Sequence, residues 1–220
     1  SRNMQEYFKN TYGRDTWFIP NGIERKQPVA AQKITNKYGL HKDDYMLFLG
    51  RIVPEKGVHY LIEAFRKLDT DKKLVIAGGA SDSTEYYEQI KQMAAQDPRI
   101  ILTGFVQGRM LQELYSNAYI YVLPSDLEGM PMSLLEAMSY GNCCLTSDIA
   151  ECAEVVGDKA ASFAHGSADA LYEALQDLVQ HPQKVQEYKD QAADFITGKF
   201  SWDSVVDQTL ALYEGKKGGE

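Results

Sequence analysis

From Tyr45 onward, short apolar runs alternate with stretches whose apolar residues recur at helical spacing. YMLFLG (45–50), KLVIAGG (73–79), RIILTG (99–104), AYIYVL (118–123) and NCCLTS (142–147) read as strands, with ASFA (161–164) as a short sixth. Between them, Val58, Leu61, Ile62, Phe65 and Leu68 share one helical face, as do Tyr86, Ile90 and Met93, and then Met110, Leu111, Leu114 and Tyr115. Asp82 and Glu85 are spaced as a capping box for the second of these helices. The pattern marks no helix between the fifth and sixth strands. Strands that are unbroken apolar runs, alternating with helices, predict a parallel sheet covered on both faces. The expected fold class is α/β, a Rossmann-like doubly wound parallel sheet of about six strands. Its usual order, 3-2-1-4-5-6, places ligands above strands one and four, where the order reverses. Ahead of Tyr45 the pattern is irregular: a helix end in MQEYFKNTYG, a short strand in DTWFIPNGI, and a short helix in KITNKYGL closed by Gly39. Two or three helices finish the chain, one carrying Leu171, Leu175 and Leu178 and the last Val206, Leu210 and Tyr213.

The stretch PSDLEGMPMSLLEAMSYG (124–141) follows the fourth strand. Pro131 suits the first position of a helix, and Gly141 suits its end. Leu134, Leu135, Ala137, Met138 and Tyr140 make that helix apolar on nearly every side, which predicts burial. Glu136 sits in its middle and Glu128 in the loop before it. A buried carboxylate without a partner costs several kcal/mol, so a polar group must meet Glu136. An internal salt bridge or cap satisfies that need as well as a ligand does.

The first strand leads directly into GRIVPEKG (50–57), which offers Arg51 and Lys56 close to a helix start. Helix N-termini favour anions, and two cations there would complete a phosphate site; a solvated basic turn is the alternative. The helix tip after the fourth strand adds backbone N–H groups at Met132 and Ser133. Glu136 lies about 7–8 Å further along the axis, where a ribose attached to such phosphates would present its hydroxyls. The two most chemically loaded loops are thus the two expected to flank the switch point.

Composition narrows the function classes. Hydrophobic residues at 44% and charged residues at 25% are ordinary for a globular domain, and a net charge of −8 argues against nucleic acid as partner. No apolar run approaches the length of a membrane span, and no signal-peptide pattern opens the chain, so a cytoplasmic location is expected. Cys143, Cys144 and Cys152 do not have the spacing of a disulfide framework or a zinc site, and read as buried small hydrophobes. Asp126-Leu127-Glu128 imitates an acidic metal-binding motif, but nothing around it suggests a metal-dependent fold. The chain starts without Met and in mid-pattern, as a fragment would.

GRIVPEKG, the TGFV stretch (103–106), and VLPS followed by Glu128 and Glu136 resemble the donor half of GT-B glycosyltransferases, most closely the large retaining family four (group 1). The likeness runs from about Ile19 (IPNGIE) to the last helix. It implies that Arg51 and Lys56 hold the diphosphate of a nucleotide diphosphate sugar, most simply a UDP-sugar, with Gly50, Gly129, Met130, Met132 and Ser133 also among the substrate-binding residues. It places Glu136 on the ribose, Glu128 as the catalytic-site carboxylate against the donor sugar, and Val106 at the base. Transfer would retain the anomeric configuration, with neither metal nor other cofactor. The resemblance divides the chain into a linker and remnant of an N-terminal acceptor domain (1–25), the donor-binding domain (26–200) and a helix crossing back to the missing half (201–220). The fragment alone is expected to be inactive. Acceptor saccharide or lipid, and peripheral membrane association of the full-length enzyme, stay open. Two departures touch the sugar end: Asn142-Cys143-Cys144 replaces the family's Pro-Val-Val, and Glu151-Cys152 a frequent Gly-Gly. Gly78-Gly79 reads as a turn rather than a sugar contact. Two other readings remain, a sugar-nucleotide epimerase of GT-B architecture and a non-catalytic nucleotide-binding module.

Overall fold

Six strands, β1 (Tyr45–Leu49), β2 (Lys73–Ala77), β3 (Ile100–Gly104), β4 (Ile120–Leu123), β5 (Cys144–Ser147) and β6 (Ala161–Phe163), form one sheet in the order β3-β2-β1-β4-β5-β6. Every pairing is parallel. This computed structural model describes residues 2–80 and 84–214. In chain order the helices are α1 (Arg2–Tyr12), α2 (Lys33–Tyr38), α3 (Val58–Arg66), α4 (Thr84–Ala94), α5 (Gly108–Asn117), α6 (Met132–Ser139), α7 (Ala150–Val156), α8 (Ala168–Gln180), α9 (Pro182–Lys199) and α10 (Trp202–Tyr213). A 3-10 turn, Pro54–Lys56, precedes α3.

The strands bury both faces, as their apolar runs require. Met46, Leu47, Phe48, Leu74, Val75, Ile76, Ile120, Tyr121 and Val122 are all fully buried. Around the sheet α3 packs on α8, α6 on α9 and α2 on α5. Buried tyrosines tie strands to helices through their hydroxyls. Tyr45 donates to the Leu114 carbonyl at 2.7 Å, and Tyr119 to the Leu178 carbonyl at 2.9 Å. Glu113, also fully buried, is compensated by the backbone N–H groups of Gln32 and Ile34 and by Arg109. Those bonds outweigh burial and hold its carboxyl below the usual range.

The sequence pattern and the structure differ at three places. DTWFIPNGI joins no sheet; its last residue, Ile23, donates its N–H to the Phe200 carbonyl, and beyond it the Lys26 N–H goes to that of Ser139. Pro131 is the cap of α6 rather than its first residue, with ψ of 80°, outside the helical region. Helix α7 fills the connection between β5 and β6; only seven residues long, it buries just Cys152, Val155 and Val156, too few to show a periodicity. The capping pair expected at α4 cannot be compared, because Asp82 lies outside the described residues.

All three cysteines are free and buried. Burial pushes the Cys143 and Cys152 thiols up to about 12, and Cys144 also lies well above its ordinary value. A thiol-disulfide reagent at pH 8 should therefore label none of them in the folded chain and all of them after unfolding; rapid labelling of native protein contradicts the packing.

Gly57 holds the turn before α3 in the left-handed region, with φ of 66°, and a Cβ there would run into the Pro124 carbonyl oxygen. Gly57→Ala should lower stability by about 2–5 kcal/mol, from strained φ plus steric overlap. Gly198→Ala, in α9 where an added Cβ meets nothing, should instead raise it by about 0.4–1 kcal/mol. Thermal denaturation of the two variants separates these outcomes.

Candidate functional site

At the C-terminal ends of β1 and β4 the two loaded loops touch. The first, 50–57, continues beside the end of β2: the Gly50 N–H donates to the Ala77 carbonyl at 3.0 Å and the Ile52 N–H to that of Gly79 at 3.1 Å. Gly78 has φ of 154°, and a Cβ on it would overlap the Gly50 carbonyl. The Gly78-Gly79 pair is thus explained by backbone packing. The second loop, 124–131, meets the first where the Asp126 N–H donates to the Glu55 carbonyl at 2.8 Å. Tyr60 of α3 donates its hydroxyl to Asp126 Oδ2 at 3.2 Å.

Lys56 and Glu128 form the centre of this junction. Lys56 Nζ donates to Glu128 Oε1 at 2.6 Å, and the Ser125 hydroxyl donates to the same oxygen at 2.6 Å. The lysine side chain is 17% exposed and the glutamate side chain 4%. Ser125 is fully buried, and its carbonyl accepts from the Ser147 hydroxyl of β5 at 2.5 Å. Arg51, by contrast, is exposed. Asp126 and Glu128 engage different partners, Tyr60 for one and Lys56 with Ser125 for the other. No group of three His, Cys, Asp or Glu among the described residues could hold a metal ion.

A cleft of about 580 Å³ opens over the pair. It is lined by Arg51, Glu55, Lys56, Leu127, Glu128 and Gly129, with Glu151 from α7 and Asn3, Met4 and Tyr7 from α1. Asn3 donates to Glu151 Oε1 at 2.9 Å and Arg2 to Glu154 Oε1 at 3.2 Å, which seats α1 on α7. Of the residues singled out in the sequence, Arg51, Lys56, Glu128 and Gly129 share this cleft; Gly50 adjoins Arg51 in the chain but does not line it. Met130 and Met132 flank it, their sulfurs accepting from Asn21 at 3.4 and 3.2 Å. The Met132 N–H, expected to be available, donates instead to the Met130 carbonyl at 2.9 Å. Val106 follows β3, two strand positions from β1, or about 10 Å at the usual spacing.

The helix tip is anchored from below. Tyr121 of β4 donates to the Ser133 hydroxyl at 2.7 Å, and Tyr115 of α5 to the Ser133 carbonyl at 3.2 Å. Leu134, Leu135, Ala137 and Met138 are buried as expected, whereas Glu136 is half-buried, so a single side of α6 reaches solvent. The polar neighbour required for Glu136 is Tyr115: its hydroxyl is raised far above its ordinary value by burial, then by Tyr121 and by the Glu136 carboxylate. Tyr140 stacks on Tyr115 with ring centres 5.3 Å apart. Glu55, Ser125 and Glu151 escaped the sequence analysis as site residues. Ser125 carried a signal, lying three residues before Glu128 in VLPS, but Glu55 and Glu151 are set in place only by the packing of loops.

Among the described residues, no helix is long and apolar enough to cross a membrane. Residues 31–195 match the sequence model of the family described as "Glycosyl transferases group 1". The alpha-maltose-1-phosphate synthase of Mycobacterium tuberculosis is 30% identical over 225 residues, covering 96% of this chain and 57% of that protein. The chain spans roughly half the length of the curated relatives it matches. In fold it is similar to HepE of Anabaena, solved in complex with UDP and glucose, with a TM-score of 0.88 at 19% identity over 98% of this chain and 62% of that one. A glycosyltransferase of Rickettsia africae gives a TM-score of 0.87 at 17% identity, covering 98% and 62%. With its six-stranded parallel sheet, its switch-point cleft and a family match over most of its length, this chain belongs to the group 1 glycosyl transferases of GT-B fold.

Proposed function

We propose that the cleft binds the nucleotide diphosphate moiety of a sugar donor, a UDP-sugar in the first instance, and that the chain is the donor half of a retaining, metal-independent hexosyltransferase. The observation that carries this reading is the convergence of Arg51 and Lys56 with Glu128 where the strand order reverses. The UDP and glucose held by HepE, a protein of the same fold, support it.

In this reading Arg51, Lys56 and the tip of α6 face the diphosphate. As the bond between the sugar C1 and the diphosphate oxygen breaks, negative charge grows on the departing oxygen, and cations fixed beside it stabilise that charge without reorganising. Glu136 accepts from the ribose hydroxyls, with Tyr115 behind it. Glu128 accepts from hydroxyls of the donor sugar next to C1. The loop at Val106 meets the base. Residues outside this chain would supply acceptor recognition, and α10 with residues 1–25 would connect to them. The 220-residue chain then binds donor but transfers no sugar to an acceptor.

The binding reading is tested by thermal shift with UDP, GDP and ADP in the presence of EDTA. A ligand at a hundred times its dissociation constant adds about 2.7 kcal/mol, which for a chain of this size is a rise of about 5–10 °C. No shift with any of the three would remove the proposed site, and a shift lost on chelation would remove the metal-independent mechanism.

Arg51 and Lys56 should differ when each is replaced by alanine. Losing a charge-assisted hydrogen bond costs about 1.5–3 kcal/mol, so both variants should bind the nucleotide roughly ten- to a hundredfold more weakly. Arg51→Ala should leave the melting temperature unchanged, because the side chain is exposed. Lys56→Ala strands the buried Glu128 carboxylate and should cost on the order of 3 kcal/mol of stability. Calorimetry and thermal melts of the two variants read both effects; equal stability loss would contradict the burial of the pair.

A further inference from the structure

Lys56 is already engaged. The cation that immediately precedes the α3 turn donates at 2.6 Å to Glu128, from the facing loop. The two members of this pair are not equally free to move. Glu128 has a 4% exposed side chain and a second bond from Ser125, whose own carbonyl is held by Ser147. Lys56 sits at the end of a flexible four-carbon stem with 17% of its side chain exposed on the cleft. A diphosphate entering the cleft therefore competes with Glu128 for the lysine, and the lysine is the partner that moves.

We propose that Glu128 is an internal competitor for the phosphate-binding lysine: Lys56 passes from Glu128 to the donor diphosphate, while Ser125 keeps the carboxylate in place. The proposal rests on the donor-site reading above. Its consequence is a built-in preference between donor and product. Removing Lys56 from a largely buried carboxylate is costly unless new hydrogen bonds reach that carboxylate. A nucleotide sugar supplies them through its hydroxyls, whereas a bare nucleoside diphosphate does not. After the sugar has left, Glu128 loses those bonds, competes for the lysine again and weakens its hold on the spent diphosphate.

The test is a double-mutant cycle on the 220-residue chain, with whichever of UDP, GDP and ADP binds tightest in calorimetry. Glu128→Gln retains an acceptor for Ser125 and removes the competing charge, so it should tighten binding of the bare nucleotide by about three- to tenfold. In a Lys56→Met background the same substitution should change affinity by less than about twofold, because no lysine is left to release. A gain that persists without Lys56 would overturn the exchange, since it would report only relief of repulsion between carboxylate and phosphate. No gain in a chain whose wild type binds nucleotide would overturn it as well. A wild type that binds none of the three removes the donor-site reading, and the exchange with it. A second readout needs no Lys56 variant. Acetylation of Lys56 by acetic anhydride, mapped by mass spectrometry, should be faster in Glu128→Gln than in wild type, and equal rates would show that the pair does not hold the lysine.

Discussion

The contact between the Gly57 turn and the Pro124 carbonyl is the constraint on which the site depends. Strands β1 and β4 are neighbours, so the chain must leave the sheet twice at adjacent points and go to opposite faces. The two exits fit only because Gly57 has no side chain and adopts a left-handed φ. Once they meet, the Asp126 N–H closes on the Glu55 carbonyl, and the backbone of both loops becomes one surface. Lys56 and Glu128 reach each other from its two sides. A residue larger than glycine at position 57 would part the loops before it touched any ligand.

Charge in the cleft is finely divided. Arg51 and Lys56 face three carboxylates, Glu55, Glu128 and Glu151. With Lys56 paired to Glu128 and Asn3 bonded to Glu151, the exposed Arg51 is the cation that an arriving anion meets at the surface. The chain as a whole carries a net charge of −8, so any positive potential in the cleft is local rather than a property of the whole molecule. Buried tyrosine hydroxyls supply the rigidity beneath. Tyr121 and Tyr115 fix the first turn of α6 from the sheet and from α5, so that the helix tip and Glu136 stand on a floor with little freedom to shift.

The strands, most helices and the parallel order were legible because each rests on a local signal. Apolar runs of five or six residues have to be buried on both faces, and the glycines at positions 39 and 141 follow the ends of helices by their backbone freedom. Helix α7 was not legible, since seven residues with three buried positions carry too short a pattern. The stretch around Phe18 has the composition of a strand yet finds no sheet partner; its end at Ile23 and the following Lys26 are held instead by the carbonyls of Phe200 and Ser139.

The candidate site divides in the same way. Arg51, Lys56, Glu128 and Glu136 were readable from residue type, spacing and position after a strand, because topology sends both loops to the switch point whatever the side chains do. Which of them touch was decided only in three dimensions. Lys56 and Glu128 are 72 positions apart, and their pairing depends on how two loops settle against each other. The same holds for Ser125, bound from β5, and for Glu151, brought into the cleft by a helix the pattern did not show. Local sequence determined the elements and the edge of the sheet at which chemistry gathers. Tertiary packing alone assigned partners to the charges, because the energy of a buried ion pair depends on distances that no sequence spacing encodes.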